Sequence, residues 1–237
     1  ATFYMPTESD GTFPYPTRYT HMAALATAFE WGRLKMQASL LGYFVHEKVE
    51  RFEARPDKAV ATPAFFGSFK VLKNHDLSVR AFYKRMFRMP TFNDLYYTDM
   101  GNAFLKPEYA EQFNVGLKYA RDFERSPFMR MLDVSVDAYY NKITDKIIAY
   151  PKGQQFRWTM LNLGEVEIKG VDAVLNALFT LGKLEVTTKF QYTYQEAIDI
   201  TDPADTYYRD QIPYIPWHSG SAILALFYKG WGLNYSF

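Results

Sequence analysis

The sequence has no cysteine, which removes disulfides, zinc–thiolate centres and thiol nucleophiles but leaves the compartment open. It also lacks any apolar run near the roughly 18 residues that a transmembrane helix needs. That excludes a helical span and not a barrel, whose strands face lipid with only every second residue. Charge of one sign is missing: 27 Lys and Arg face 26 Asp and Glu, and no Lys/Arg run exceeds two, so a nucleic-acid footprint is absent. The four histidines, His21, His46, His75 and His218, are scattered without HExxH or paired spacing, and read as strand or turn residues rather than metal ligands. No glycine-rich phosphate loop is present. His218 and Ser221 lie close in sequence but outside any nucleophile elbow, so no catalytic residue is assigned and the chain is read as no enzyme. There is no initiating Met and no signal peptide; Ala1 and the loop-like stretch after it suggest a processed or cut start.

What is abundant is aromatic. Nineteen Tyr and twenty Phe against four Trp suit aromatic girdles, a carbohydrate-binding surface or a rich β core. Period-2 alternation dominates. Phe113, Val115, Leu117 and Tyr119 oppose Gln112, Asn114, Gly116 and Lys118. Val134, Val136, Ala138 and Tyr140 oppose Asp133, Ser135, Asp137 and Asn141, and Leu184 to Gln195 alternates likewise. Similar stretches near 19–30, 33–46, 58–72, 77–87, 165–179, 217–228 and 231–237 bring the expectation to ten strands, with almost no helical periodicity.

Connections alternate in length. Short turns are expected at Trp31-Gly32, Lys73 to Asp76, Asp122 to Met129, Leu181 to Lys183 and Lys229-Gly230. Long loops are expected near 47–57, 88–108, 143–164 and 196–216. Interleaved short and long connections are the mark of an all-β, antiparallel, up-and-down transmembrane β-barrel with tight periplasmic turns and long external loops. A Greek-key sandwich lacks that regularity. On this polarity the last strand rises and ends externally at Phe237, whereas barrels normally finish on a descending strand; an interrupted, partial barrel of about ten strands over 1–237 is expected.

Four elements then resemble signatures of TonB-dependent outer-membrane receptors. The first is FRMPTFNDLYYTDMGNAFLKPE, from Phe87, with Arg88, Pro90, Thr91, Asn93, Asp94, Leu95, Tyr96, Gly101, Asn102, Leu105, Lys106, Pro107 and Glu108 on the pattern. The second is YYNKITDKIIAY, carrying Asn141 and Asp145. The third is NLGEVEIKGVDA, with Asn162, Gly164 and Gly170, and Asp172 where the family usually has Glu. The fourth is QIPYIPWHSGS, with Pro213 and Pro216. The likeness runs from about Val79 to Tyr235; residues 1–78 fit as preceding strands without a motif.

The resemblance implies a barrel of about 22 strands with a plugged lumen, so a plug and roughly nine strands would precede this segment and about three would follow. It implies capture of a scarce nutrient (a siderophore, cobalamin or glycan) in the outer membrane of a Gram-negative bacterium. Import would be driven by a TonB energy-coupling complex acting through the missing plug. Partners implied are that complex, the ligand, outer-membrane lipid and a surface lipoprotein. Two rivals are a soluble carbohydrate-binding β protein and a non-transporting outer-membrane barrel, either adhesin or enzyme.

The motif residues read as structural. Pro90 and Pro107 suit places where a strand leaves the sheet, and Gly101-Asn102 suits a turn tolerant of positive φ. Glu108 either binds loop amides or Arg88, or stays solvated. Gly164 and Gly170 suit bends or bulges. Tyr96, Tyr97, Phe104, Tyr207 and Tyr208 on two long loops form either a ligand face or, the preferred reading, girdle and loop packing. Asp199, Asp202, Asp205 and Asp210 are the residues an external Ca²⁺ would use, but their spacing matches no EF-hand and solvated loop carboxylates are the simpler reading. Arg80, Lys84, Gln112, Asn114 and Asp137 are expected to face the lumen.

Overall fold

The computed structural model describes residues 14–51, 53–72, 76–97, 100–151 and 158–237. Among these residues ten strands form one sheet: β1 (Thr17–Trp31), β2 (Leu34–Lys48), β3 (Lys58–Lys70), β4 (Asp76–Arg88), β5 (Glu108–Asp122), β6 (Met129–Pro151), β7 (Trp158–Leu181), β8 (Leu184–Asp199), β9 (His218–Tyr228) and β10 (Trp231–Ser236). Their spatial order is their sequence order, every pairing is antiparallel, and β1 and β10 are the two edges. This is an unclosed, partial up-and-down barrel.

The tight turns have a backbone cause. Gly32, Gly182 and Gly230 have φ of +58°, +63° and +87°, and Lys229 joins Gly230 in the left-handed region. Positive φ in a two-residue hairpin loop matches the twist of the flanking strands. The turn expected at Lys73 to Asp76 lies largely outside the described residues.

Two expectations need correction. The long loop near 143–164 is mostly ladder: β6 and β7 stay paired through Lys146↔Leu163 to Pro151↔Trp158. Beyond the bilayer a strand no longer needs an apolar face, so alternation fades while pairing persists, and the sequence pattern stops before the strand does. At 23 and 24 residues these two strands are more than twice what crossing requires. The other correction is a short helix, α1 (Phe92–Tyr96), inside the β4–β5 loop. Thr91 Oγ1 accepts from the Asp94 amide at 3.1 Å and the Asp94 carboxylate accepts from the Thr91 amide at 2.9 Å. That reciprocal capping box was legible as Thr-x-x-Asp.

The two faces differ in chemistry. Phe65, Tyr83, Phe113 and Tyr140 are cross-strand neighbours on one face, with ring centroids 6.4, 4.9 and 6.3 Å apart. Toward the tight turns this face continues through Val115 and Leu117, 58% and 53% exposed. Toward the long loops it becomes charged, with Lys142 2.9 Å from Glu165. An exposed apolar band bordered by an aromatic row is what hydrocarbon and its interface select. On the opposite, lumenal face, Arg80, Gly116, Asp137, Asp172 and Thr193 share one register row across β4–β8. Arg80 reaches across Gly116 to Asp137 in a bidentate pair, because any side chain at Gly116 would strike both partners. Thr193 donates to Asp172 at 2.7 Å. Lys84, Gln112 and Asn114 occupy neighbouring positions of the same face.

Candidate functional site at the external mouth

Where the lumenal face meets the long loops, polar residues give way to apolar ones. Ala110, Ile143, Val166, Ile168 and Ala197 form a buried cluster, with Met86 and Tyr139 against it. The β8–β9 loop closes this cluster with Ile212, 6% exposed, and with Ile215. Gln211 fixes that loop: its Oε1 accepts from the Ala197 amide at 2.9 Å and its Nε2 donates to the Ile215 carbonyl at 3.0 Å. Between the two isoleucines Tyr214 takes φ +67° and projects outward, 82% exposed. Its ring lies 6.0 Å from that of Trp158, at the start of β7. Pro213 and Pro216, flanking this turn, are both exposed.

The β4–β5 loop folds onto the same face. Leu95 and Leu105, 2% and 0% exposed, pack on Ile147 with Phe92, Tyr96 and Met160 around them. Pro90 is fully buried where β4 ends, and Pro107 is buried just before β5. Gly101 is not in the left-handed region; its need is space, since a Cβ would sit 2.7 Å from both the Leu95 carbonyl oxygen and the Tyr97 amide nitrogen. Asn102 donates to the Met160 carbonyl at 3.0 Å and accepts from the Phe104 amide at 3.0 Å.

Asn162 is the chief bracket between this loop and the β6–β7 hairpin. Its Oδ1 accepts from the Lys106 amide at 2.8 Å, and its Nδ2 donates to the carbonyls of Lys106 and Asp145 at 3.1 and 2.7 Å. Asp145 is left-handed at φ +54°, and its carboxylate lies 3.7 Å from Lys106 Nζ. Glu108 Oε2 accepts from the Ile147 amide at 3.0 Å and lies 3.4 Å from Arg88 Nη2. Asn162→Ala removes three hydrogen bonds at about 1 kcal/mol each and is expected to cost about 2–3 kcal/mol. Urea unfolding in micelles checks this, with amide exchange at Lys106 rising in parallel.

The remaining motif residues are placed as follows. Asn141 is on the lumenal face, paired with Gln112 and Ile168. Asn93 is exposed and its carbonyl accepts from Tyr97. Gly164 sits against Thr201 and Gly170 against the ring of Tyr139, and a Cβ on Gly170 would lie 2.6 Å from the Tyr194 carbonyl oxygen. The ladder continues in register through Gly170, without a bulge.

The expected aromatic set divides. Tyr97, Phe104 and Tyr207 are 59%, 58% and 66% exposed, whereas Tyr96 and Tyr208 are half-buried. Burial raises the Tyr96 hydroxyl above its ordinary range, helped by the nearby Glu47 carboxylate. The carboxylates of Asp199, Asp202 and Asp205 each cap their own loop, accepting from the amides of Thr201, Ala204 and Tyr207 at 2.9, 2.9 and 3.0 Å. Among the described residues no three His, Cys, Asp or Glu side chains gather as a metal site. His218 binds the Tyr192 hydroxyl at 2.8 Å on the outer face.

Sequence reasoning missed Trp158, Tyr214 and a charge cluster around the buried Glu47. In that cluster Arg18 Nε donates to Glu47 at 2.6 Å, Arg18 Nη2 donates to the Pro90 carbonyl at 2.7 Å, and Arg55 donates to the Leu105 carbonyl. Burial lowers the Arg55 guanidinium below its usual range against the opposing pull of Glu47. The exposed tyrosine in IPYIP was a visible signal for Tyr214. Nothing in the motif-free first third marked Arg18 or Glu47.

A family model described as TonB dependent receptor-like, beta-barrel, matches residues 2–237. The vitamin B12 transporter BtuB of Vibrio vulnificus is 34% identical over 99 residues, 42% of this chain and 14% of that transporter. BtuB of Photobacterium profundum is 34% identical over 113 residues, 45% of this chain and 16% of its own length. Among solved structures, the copper transporter OprC superposes with a TM-score of 0.66 at 19% identity, over 90% of this chain and 32% of its own. The FrpB iron transporter from Neisseria meningitidis (F3-3 variant) gives 0.58 at 15%, over 93% and 32%. The chain thus spans well under half the length of each of these relatives.

Proposed function

The chain belongs to the TonB-dependent receptor-like β-barrel family, and we propose that it forms part of an outer-membrane receptor that captures a scarce nutrient and passes it to the periplasm. The ten strands are a contiguous arc of a larger closed barrel. Two unpaired edges and a lipid-type face make such an arc unsuited to standing alone in water. Plug and further strands belong to the rest of that barrel, in the outer membrane of a Gram-negative cell. Energy comes from TonB acting on the plug. Besides TonB, the partners are the ligand, outer-membrane lipid and a surface lipoprotein.

One observation carries the reading: two long loops are bracketed inward over the lumenal face, leaving exposed aromatics at the mouth. Trp158 and Tyr214 are the residues we assign to ligand contact there, with Tyr97, Phe104 and Tyr207 around them. The ligand class is a siderophore, cobalamin or glycan. The test is uptake by cells carrying the intact receptor, screened with labelled members of those three classes. Tyr214→Ala and Trp158→Ala are each expected to weaken binding of the ligand so found about three- to tenfold, the scale of a lost aromatic contact. Unchanged affinity in both variants removes this pair from the site.

A further inference from the structure

The β4–β5 loop is held on two flanks by different means. On the β6–β7 flank the holds are chiefly neutral: the Asn162 bracket, the Met160 amide donating to the Met100 carbonyl at 2.9 Å, and the Leu95–Leu105–Ile147 packing, with the Glu108 carboxylate on the Ile147 amide and Lys106 near Asp145 beside them. Backbone ladder and buried apolar contact make that flank part of the sheet's own framework.

The β1–β3 flank is held by charge. Arg18, on β1, forks between Glu47 of β2 and the Pro90 carbonyl, and its guanidinium lies 4.8 Å from the centre of the Phe92 ring. Arg55, from the β2–β3 loop, donates to the Leu105 carbonyl. The Glu47 side chain is only 3% exposed and that of Arg18 18%. Two long arginines, one from β1 and one from the β2–β3 loop, therefore grip the α1-bearing loop through its carbonyls at Pro90 and Leu105, and Glu47 pairs with Arg18 and acts on Arg55 through its charge.

We propose that Arg18, Glu47 and Arg55 form a latch between the β2–β3 and β4–β5 loops, whose release opens a cleft at the mouth while the β6–β7 flank stays fixed. The physical basis is the buried Glu47 carboxylate, which is compensated by Arg18. Removing either partner of this pair leaves the other poorly solvated and without its counter-charge, so the closed arrangement loses its advantage. The β4–β5 loop then parts from β1–β3 while its contacts to β6–β7 hold, because α1 keeps its shape through its own capping box and the Gly101 packing. The latch rests on the lumenal assignment of this face and is independent of which nutrient is carried.

The test places spin labels on the intact receptor in micelles, at Glu53 and Asn93, both exposed positions on the two loops. The unmodified latch should give one dominant distance. Glu47→Ala should add a longer-distance population of at least about a tenth of the molecules, as expected when a buried pair is broken, and Asn162→Ala should not. Arg18→Lys keeps the charge but loses the fork, and should also open the loops; it serves if Glu47→Ala fails to fold. A single unchanged distance in Glu47→Ala or, in its place, Arg18→Lys overturns the latch. Equal opening in Asn162→Ala also overturns it, because the two flanks would then be one structural unit.

Discussion

Leu117→Arg is expected to destabilise the folded receptor in a bilayer by about 2–4 kcal/mol, the cost of a cationic side chain near the middle of a barrel's lipid face. Leu117 lies four residues along β5 from Phe113, whose ring stands in the aromatic row with Tyr83 and Tyr140. It is 53% exposed, so in water the same substitution would cost almost nothing. Gln112→Arg, on the lumenal face and paired with Lys84 and Asn141, is expected to change stability by about 0.5 kcal/mol or less. Urea unfolding of the two variants in lipid vesicles reads the difference directly. Equal effects at the two positions would mean that neither face meets hydrocarbon.

Gly170→Val is expected to cost about 1–3 kcal/mol, the usual range for overpacking, and to lower the yield of folded barrel in heat-modifiability gels. Two neighbours set this. The Tyr139 ring lies across the glycine from the directly paired position, and the Tyr194 carbonyl is backbone and cannot turn aside. Tyr139→Ala in the same chain should recover only part of the loss, because the clash with the Tyr194 carbonyl at 2.6 Å remains. Full recovery would assign the whole effect to the ring.

The membrane-spanning fold was legible because lipid on one face and a polar lumen on the other impose strict alternation, as along Gln112 to Tyr119. Short turns were legible because left-handed positions such as Gly32 and Gly230 call for glycine. Above the bilayer that constraint lapses. The ladder from Lys146 to Pro151 carries pairing without alternation, and it was read as loop. The motif residues were read as structural, and two of them, Gly101 of the β4–β5 loop and Asn162 of β7, pack or hydrogen-bond against neighbouring backbone. The latch was illegible, since Arg18, Glu47 and Arg55 lie far apart in sequence from the Pro90 and Leu105 carbonyls they meet.

The central claim is that this chain is an arc of an outer-membrane receptor barrel. Its most direct test is the mass and membrane fractionation of the native protein in its source cells, followed with an antibody raised against this chain. The account predicts a band about three times this chain's 27.6 kDa, confined to the outer membrane. A soluble band at 27.6 kDa would contradict it and leave a self-contained β protein in its place.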